Sequence, residues 1–181
     1  MNAVTPNPRQ IANALWDQSR SQMIAAFARC EFAVTETLRL LSEAQDGATT
    51  LKIKPTLKGR FAQLHDLLGC DGNYAKQGRA ILDPLRAVQE QIELRNLLCH
   101  GCVTLYTTDS GAWIARIRMM AVQKGTSNLR EELLTEERAS DLLKRLMAQS
   151  NTLLHRLGQF QKNLASKAKP NPSAPEAQAS G

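Results

Sequence analysis

The sequence predicts an all-α fold, an up-and-down helical bundle with a small β-hairpin inserted after the helix that ends at His100. Three observations predict it. Apolar residues recur in steps of three and four over most of the chain. Helix start and stop residues punctuate those runs. One segment, 103–119, changes to β-branched and aromatic residues on either side of an Asp109-Ser110-Gly111 turn signal, the pattern of a hairpin.

The first helix starts at Asn7, a good N-cap, with Pro8 at the first helical position and Gln10 at the capping-box position. Ile11, Leu15, Met23, Phe27, Cys30, Val34, Leu38 and Leu41 form its apolar stripe, which ends near Gly47. The polar stretch 18–22 marks a bend or interruption. A second helix follows Pro55 with Leu57, Phe61, Leu64 and Leu68 on one face, then Gly69 and a turn at 70–73. A third run holds Ile81, Leu85, Val88, Ile92 and Leu97, and Asp83-Pro84 marks either a fresh start or a kink within it. It stops at His100-Gly101. After the hairpin, 124–128 reads as a loop. Thr135 then caps a last long helix, with Glu136 and Glu137 in its first turn and a stripe of Leu142, Leu146, Leu153, Leu157, Phe160 and Leu164. From residue 165 onward Lys, Pro, Ser, Ala and Gln dominate. One helical domain over 1–164 and a disordered tail over 165–181 are therefore expected.

Composition narrows the functional classes. A 181-residue chain that is 43% hydrophobic can bury a core, which excludes collagen-like, disulfide-scaffold and wholly disordered classes. The longest apolar run, 23–28, falls far short of the ~20 residues that span a bilayer, so no membrane partner is expected. The first ten residues hold no apolar stretch of a signal peptide, and four cysteines are few for this length. A reducing cytoplasm with free thiols is the expected setting. The excess of 23 Lys+Arg over 17 Asp+Glu gives a net charge of +6, which permits a polyanionic partner without requiring one.

One segment stands apart, Glu93-Leu94-Arg95-Asn96-Leu97-Leu98-Cys99-His100-Gly101. Asn96 and His100 are four residues apart and share a helix face, with Arg95 adjacent. Gly101 can take the left-handed conformation that ends a helix. These three side chains suit phosphodiester chemistry. Imidazole gives or takes a proton near neutral pH. Guanidinium presents a permanently charged fork matched to phosphate oxygens. An amide one turn back can hold a ring nitrogen and fix the tautomer. RNA carries its own nucleophile, the 2′-OH, so its cleavage requires only a base, an acid and charge stabilisation. One imidazole cannot sit on both sides of an in-line phosphorus, and a two-fold dimer supplies the second.

Arg-Asn-x-x-x-His at the end of a helix, in a small helical domain, resembles the HEPN (higher eukaryotes and prokaryotes nucleotide-binding) family. Leu94 before the motif and Gly101 after it are also similar to many members. The resemblance implies a homodimer with both motifs facing one cleft. It implies a metal-independent endoribonuclease that leaves a 2′,3′-cyclic phosphate and serves toxin–antitoxin systems, phage defence or RNA processing, with RNA and an antitoxin protein as partners and no cofactor. By position, His100 would be the acid/base residue, Arg95 the phosphate-stabilising one, Asn96 a positioning residue and Glu93 an orienting carboxylate. Members paired with a nucleotidyltransferase antitoxin often carry Tyr two residues after the His. Cys102 stands there in this chain. Other members are non-catalytic dimerisation or RNA-binding modules.

Plainer readings compete at each position. Polar residue, His and Gly also end helices for capping reasons alone. Cys99-His100-Gly101-Cys102 contains a C-x-x-C, but no second cysteine pair completes a zinc site and Val103 stands where haem attachment needs His, so no metal is expected. His65 reads as a boundary histidine and His155 as a solvated one. Arg116 and Arg118 share one face of a strand, either tracking an RNA backbone or simply facing solvent. Trp16, Trp113 and Tyr106 are too scattered for a base-stacking platform.

Overall fold

The computed structural model describes residues 7–44, 51–69, 72, 74–108, 111–123 and 125–168. Among them are helices α1 (Pro8–Ala44), α2 (Leu57–Leu68), α3 (Ala75–Gln89), α4 (Ile92–His100) and α5 (Glu136–Ala168). Between α4 and α5 lie strands β1 (Cys102–Thr107), β2 (Trp113–Gln123) and β3 (Thr126–Thr135). The fold is thus α+β, helices beside a three-stranded antiparallel sheet of order β1-β2-β3, and not the all-α bundle the sequence predicts.

The third strand overturns the all-α expectation. The hairpin is there, with Val103 opposite Ile117 and Thr107 opposite Trp113. But 126–128, read as a loop, pairs with β2, and pairing continues to Thr135 opposite Ile114. Composition hides this strand, because Leu-Arg-Glu-Glu-Leu-Leu is rich in good helix formers. Its alternation shows only against β2: Leu129, Glu131 and Leu133 face outward, while Leu134 is buried on the inner side. Strand preference follows neighbours more than local sequence. A two-residue connection sets the register, with Gly125 at φ 80° as such turns require.

α1 is one helix through 18–22, started as its sequence implies: the Asn7 side chain accepts from the Arg9 amide at 2.9 Å. Its buried face begins with Ala12 and Trp16, whereas Ile11 and Leu15 are 44% and 39% exposed. From Met23 to Leu41 the predicted stripe is the core, packed along α5 through Leu146, Leu153, Leu157, Phe160 and Leu164. Thr135 caps α5, its hydroxyl accepting from the Arg138 amide at 3.2 Å. α5 runs through Ala168, past the expected start of the tail; residues 169–181 of that tail lie outside the described residues. So do residues 70, 71 and 73 of the turn after α2, and Asp109 and Ser110 of the hairpin turn.

The third apolar run divides in two. Pro84 lies inside α3, and the chain leaves helical geometry at Gln91 (φ −93°, ψ 3°). The spacing supplies the reason. Ile81, Leu85 and Val88 lie along one stripe, but Leu97 is nine residues beyond Val88, about 180° around the same helix. One straight helix cannot bury both sets on one face. The break lets α4 bury Ile92, Leu97 and Leu98.

The inner sheet face carries Trp113, Ala115, Ile117 and Leu134 into the core. Trp113 meets Trp16 edge to face, ring centroids 5.5 Å apart and planes at 71°. The sheet thereby closes the end of the helical body where α4 stops. Among the described residues no helix is long and apolar enough to cross a membrane.

Candidate active site at the end of helix α4

Leu97 and Leu98 anchor the last turn of α4 in the core and fix where the next residues point. Gly101 closes that turn, its amide donating to the Leu97 carbonyl at 2.8 Å. It does not take the left-handed conformation expected of it: φ is −79° and ψ 145°, which any residue can adopt. The need for glycine is steric. A Cβ there would meet Ile117 Cγ2 and the Leu97 carbonyl oxygen, each at 2.5 Å. The absent side chain lets the end of α4 lie directly on β2.

A helix end leaves carbonyls without intrahelical partners. That of Leu98 is supplied from α1, where Arg20 Nε donates to it at 2.8 Å. Arg20 thus ties the His100 turn to the longest helix of the body. Glu93, on the first turn of α4, pairs with Arg130 of β3. That contact docks α4 on the sheet and gives Glu93 a partner other than the imidazole it was expected to orient.

The structure brings Arg95 and Asn96 together. Arg95 Nη1 donates to Asn96 Oδ1 at 3.4 Å, and Nη2 to Glu31 Oε2 at 3.4 Å. Glu31, on α1, also pairs with Arg60 of α2, so one carboxylate gathers two guanidinium groups from two helices. All three side chains are partly shielded from solvent.

His100 lies elsewhere on the helix surface. It is five residues beyond Arg95, about 140° around α4, but only about 40° from Asn96. It is exposed, and no hydrogen bond or ion pair reaches it among the described residues. It borders an open groove of about 820 Å³ with Cys102, Arg118, Met119, Met120 and Leu129. Arg95 does not line that groove. Within one chain, then, the imidazole is accompanied by Arg118, while the motif guanidinium faces Glu31.

Arg118 is the residue the motif did not point to. The signal was the alternation that puts Arg116 and Arg118 on one strand face. What separates them is register. Arg116 Nη2 bonds Glu131 Oε2 at 2.8 Å, which pushes the Arg116 pKa up, while Arg118 has no ion pair among the described residues.

The remaining candidates take ordinary places. His65 is half-buried at a separate cleft of about 510 Å³, beside Lys58, Asp66 and Arg86. His155 is exposed, its Nε2 2.9 Å from Gln159 Nε2. Of the C-x-x-C pair, Cys99 is half-buried and Cys102 exposed, and both are free thiols. Cys30 is buried in the core, where burial pushes its thiol pKa up against the smaller opposing effects of Ser150 and Arg29.

No known protein family, curated protein or solved structure matches the chain.

Proposed function

We propose that the chain is an endoribonuclease that cleaves RNA without a metal, at a site completed by a second copy of itself. The ribose 2′-OH gives its proton to one imidazole and its oxygen attacks the adjacent phosphorus. The 5′-oxygen of the following nucleotide leaves and takes a proton from the second imidazole. The products are a 2′,3′-cyclic phosphate and a 5′-OH. His100 moves protons, Arg95 neutralises the charge that builds on the phosphorane-like transition state, and Asn96, one turn before His100 and bonded to Arg95, is the positioning residue.

The observation that carries this reading is His100 itself. It is an exposed imidazole on a rigidly anchored helix end, with no partner among the described residues and an open groove beside it. Capping does not account for it, since Gly101 closes the turn and Arg20 supplies the Leu98 carbonyl. Arg95 is compatible with its role. Contacts of 3.4 Å are at the long end of hydrogen bonding, a hold that a phosphate can replace. A toxin or phage-defence setting in the cytoplasm, with an antitoxin protein as partner, extends the same reading.

One observation favours a second reading, a non-catalytic RNA-binding or dimerisation module. The Glu31 pairing gives Arg95 a structural task independent of catalysis. One experiment separates the two. Wild type and His100→Ala are incubated with mixed RNA in excess chelator, and cyclic-phosphate ends are assayed. Ends from the wild type alone are expected, with the variant folded and as stable as wild type within about 0.5 kcal/mol, as for an exposed position. Equal cleavage by both proteins, or none by the wild type, overturns the assignment.

A further inference from the structure

The β2–β3 hairpin projects beyond β1. β1 pairs only with 113–118 of β2, whereas β2 and β3 stay paired out to Gln123 and Thr126. The projecting part carries Met120 opposite Leu129 on its outer face, each 60% exposed. Among the described residues, neither belongs to the hydrophobic core or packs against it. The pair stands beside the end of α4, and with Arg118 and Cys102 it walls the groove that His100 borders.

The groove's chemistry is specific. Among the described residues no carboxylate lines it. Glu131, opposite Arg118 in register, bonds Arg116, and the Arg118 guanidinium has no ion pair among the described residues, so it can take an anion. An apolar wall of thioether and methyl groups beside a bare cation and an imidazole complements a molecule that is flat and aromatic at one end and anionic at the other. About 820 Å³ lies within the usual range of ligand sites.

We infer that this groove holds a nucleotide of single-stranded RNA next to the linkage at His100, with its base on Met120 and Leu129 and its phosphate on Arg118. The hairpin is then a substrate-binding arm. The identity of the polymer rests on the ribonuclease reading, and the site's shape favours a single strand because a base within a duplex is stacked and cannot lie against a side wall.

The test measures binding without cleavage. Labelled single-stranded RNA of mixed sequence is titrated with full-length His100→Ala protein in excess chelator, and anisotropy is read at several salt concentrations. Adding Arg118→Ala should weaken binding about tenfold and reduce the slope of log K against log salt by about 1, the signature of one lost phosphate contact. Met120→Ser should weaken it about fivefold with the slope unchanged, as for lost sulfur–aromatic contact. Arg156→Ala, an exposed cation on α5, should change affinity by less than about twofold, as expected of a surface charge remote from a contact.

Wild-type affinity in both groove variants overturns the inference, and if the wild type also cleaves RNA, the ribonuclease reading survives alone. Weakened binding in the groove variants beside an inactive wild type supports the groove and removes the catalytic assignment. No RNA binding by any protein overturns the groove, as does equal competition by duplex RNA. Conversion of a dimer to a monomer by Met120→Ser or Leu129→Ser, read by sedimentation, also overturns it, because the arm would then be a self-association surface.

Discussion

Glu31 and Arg95 stand 64 residues apart in the chain and meet at 3.4 Å, the carboxylate of α1 accepting from the motif guanidinium of α4. Arg60 of α2 pairs with the same carboxylate. Glu31 is thus the point through which three helices hold Arg95.

Removing that carboxylate's charge separates structure from function. Glu31→Gln should cost about 1–2 kcal/mol in denaturant unfolding, less than a fully buried pair because the side chains remain partly solvated. In the ribonuclease reading it should also tighten RNA binding, about threefold in anisotropy titrations, because Arg95 no longer has a competing anion. A loss of stability with weaker or unchanged RNA binding would leave Arg95 a purely structural residue.

Gly101→Ala should destabilise the protein by about 2 kcal/mol, the usual cost of overpacking. The added Cβ has to push Ile117 and the Leu97 carbonyl apart. Thermal unfolding reads the loss. Because the displaced turn carries His100, any RNA cleavage should fall further than stability explains; a variant as stable and active as wild type would refute the close approach.

Arg20→Met keeps the aliphatic stem and deletes the donor to Leu98. The stranded carbonyl should cost about 1.5 kcal/mol, as a lost charge-assisted hydrogen bond does. Hydrogen exchange should localise the loosening to the last turn of α4 and not to the helical core.

The thiols should react in order of access. Alkylation of the native protein followed by mass spectrometry should label Cys102 first and Cys30 only on unfolding. The raised Cys30 pKa carries a definite sign: its folded state holds the proton more tightly than the unfolded chain does. The stability this gives is complete below the ordinary thiol range and is lost as pH rises through and above it. The denaturant midpoint should therefore fall at alkaline pH, and Cys30→Ala should lessen that fall while costing stability through the cavity it leaves.

Much of the molecule is written locally. Asn7 and Thr135 start α1 and α5, and the three-and-four spacing of Met23 to Leu41 and of Leu146 to Leu164 identifies the faces that meet. His100-Gly101 likewise marks the end of α4. Caps and periodicity act over a few residues, so a linear sequence displays them.

Only the tertiary structure turns 126–135 into a strand, because its alternation has meaning only beside β2. Nor can spacing show that Glu31 takes Arg95, that Gly101 is required by Ile117, or that Glu131 chooses Arg116 and leaves Arg118 bare. Each of those outcomes is a competition between groups distant in the chain, and folded proximity sets which partner wins.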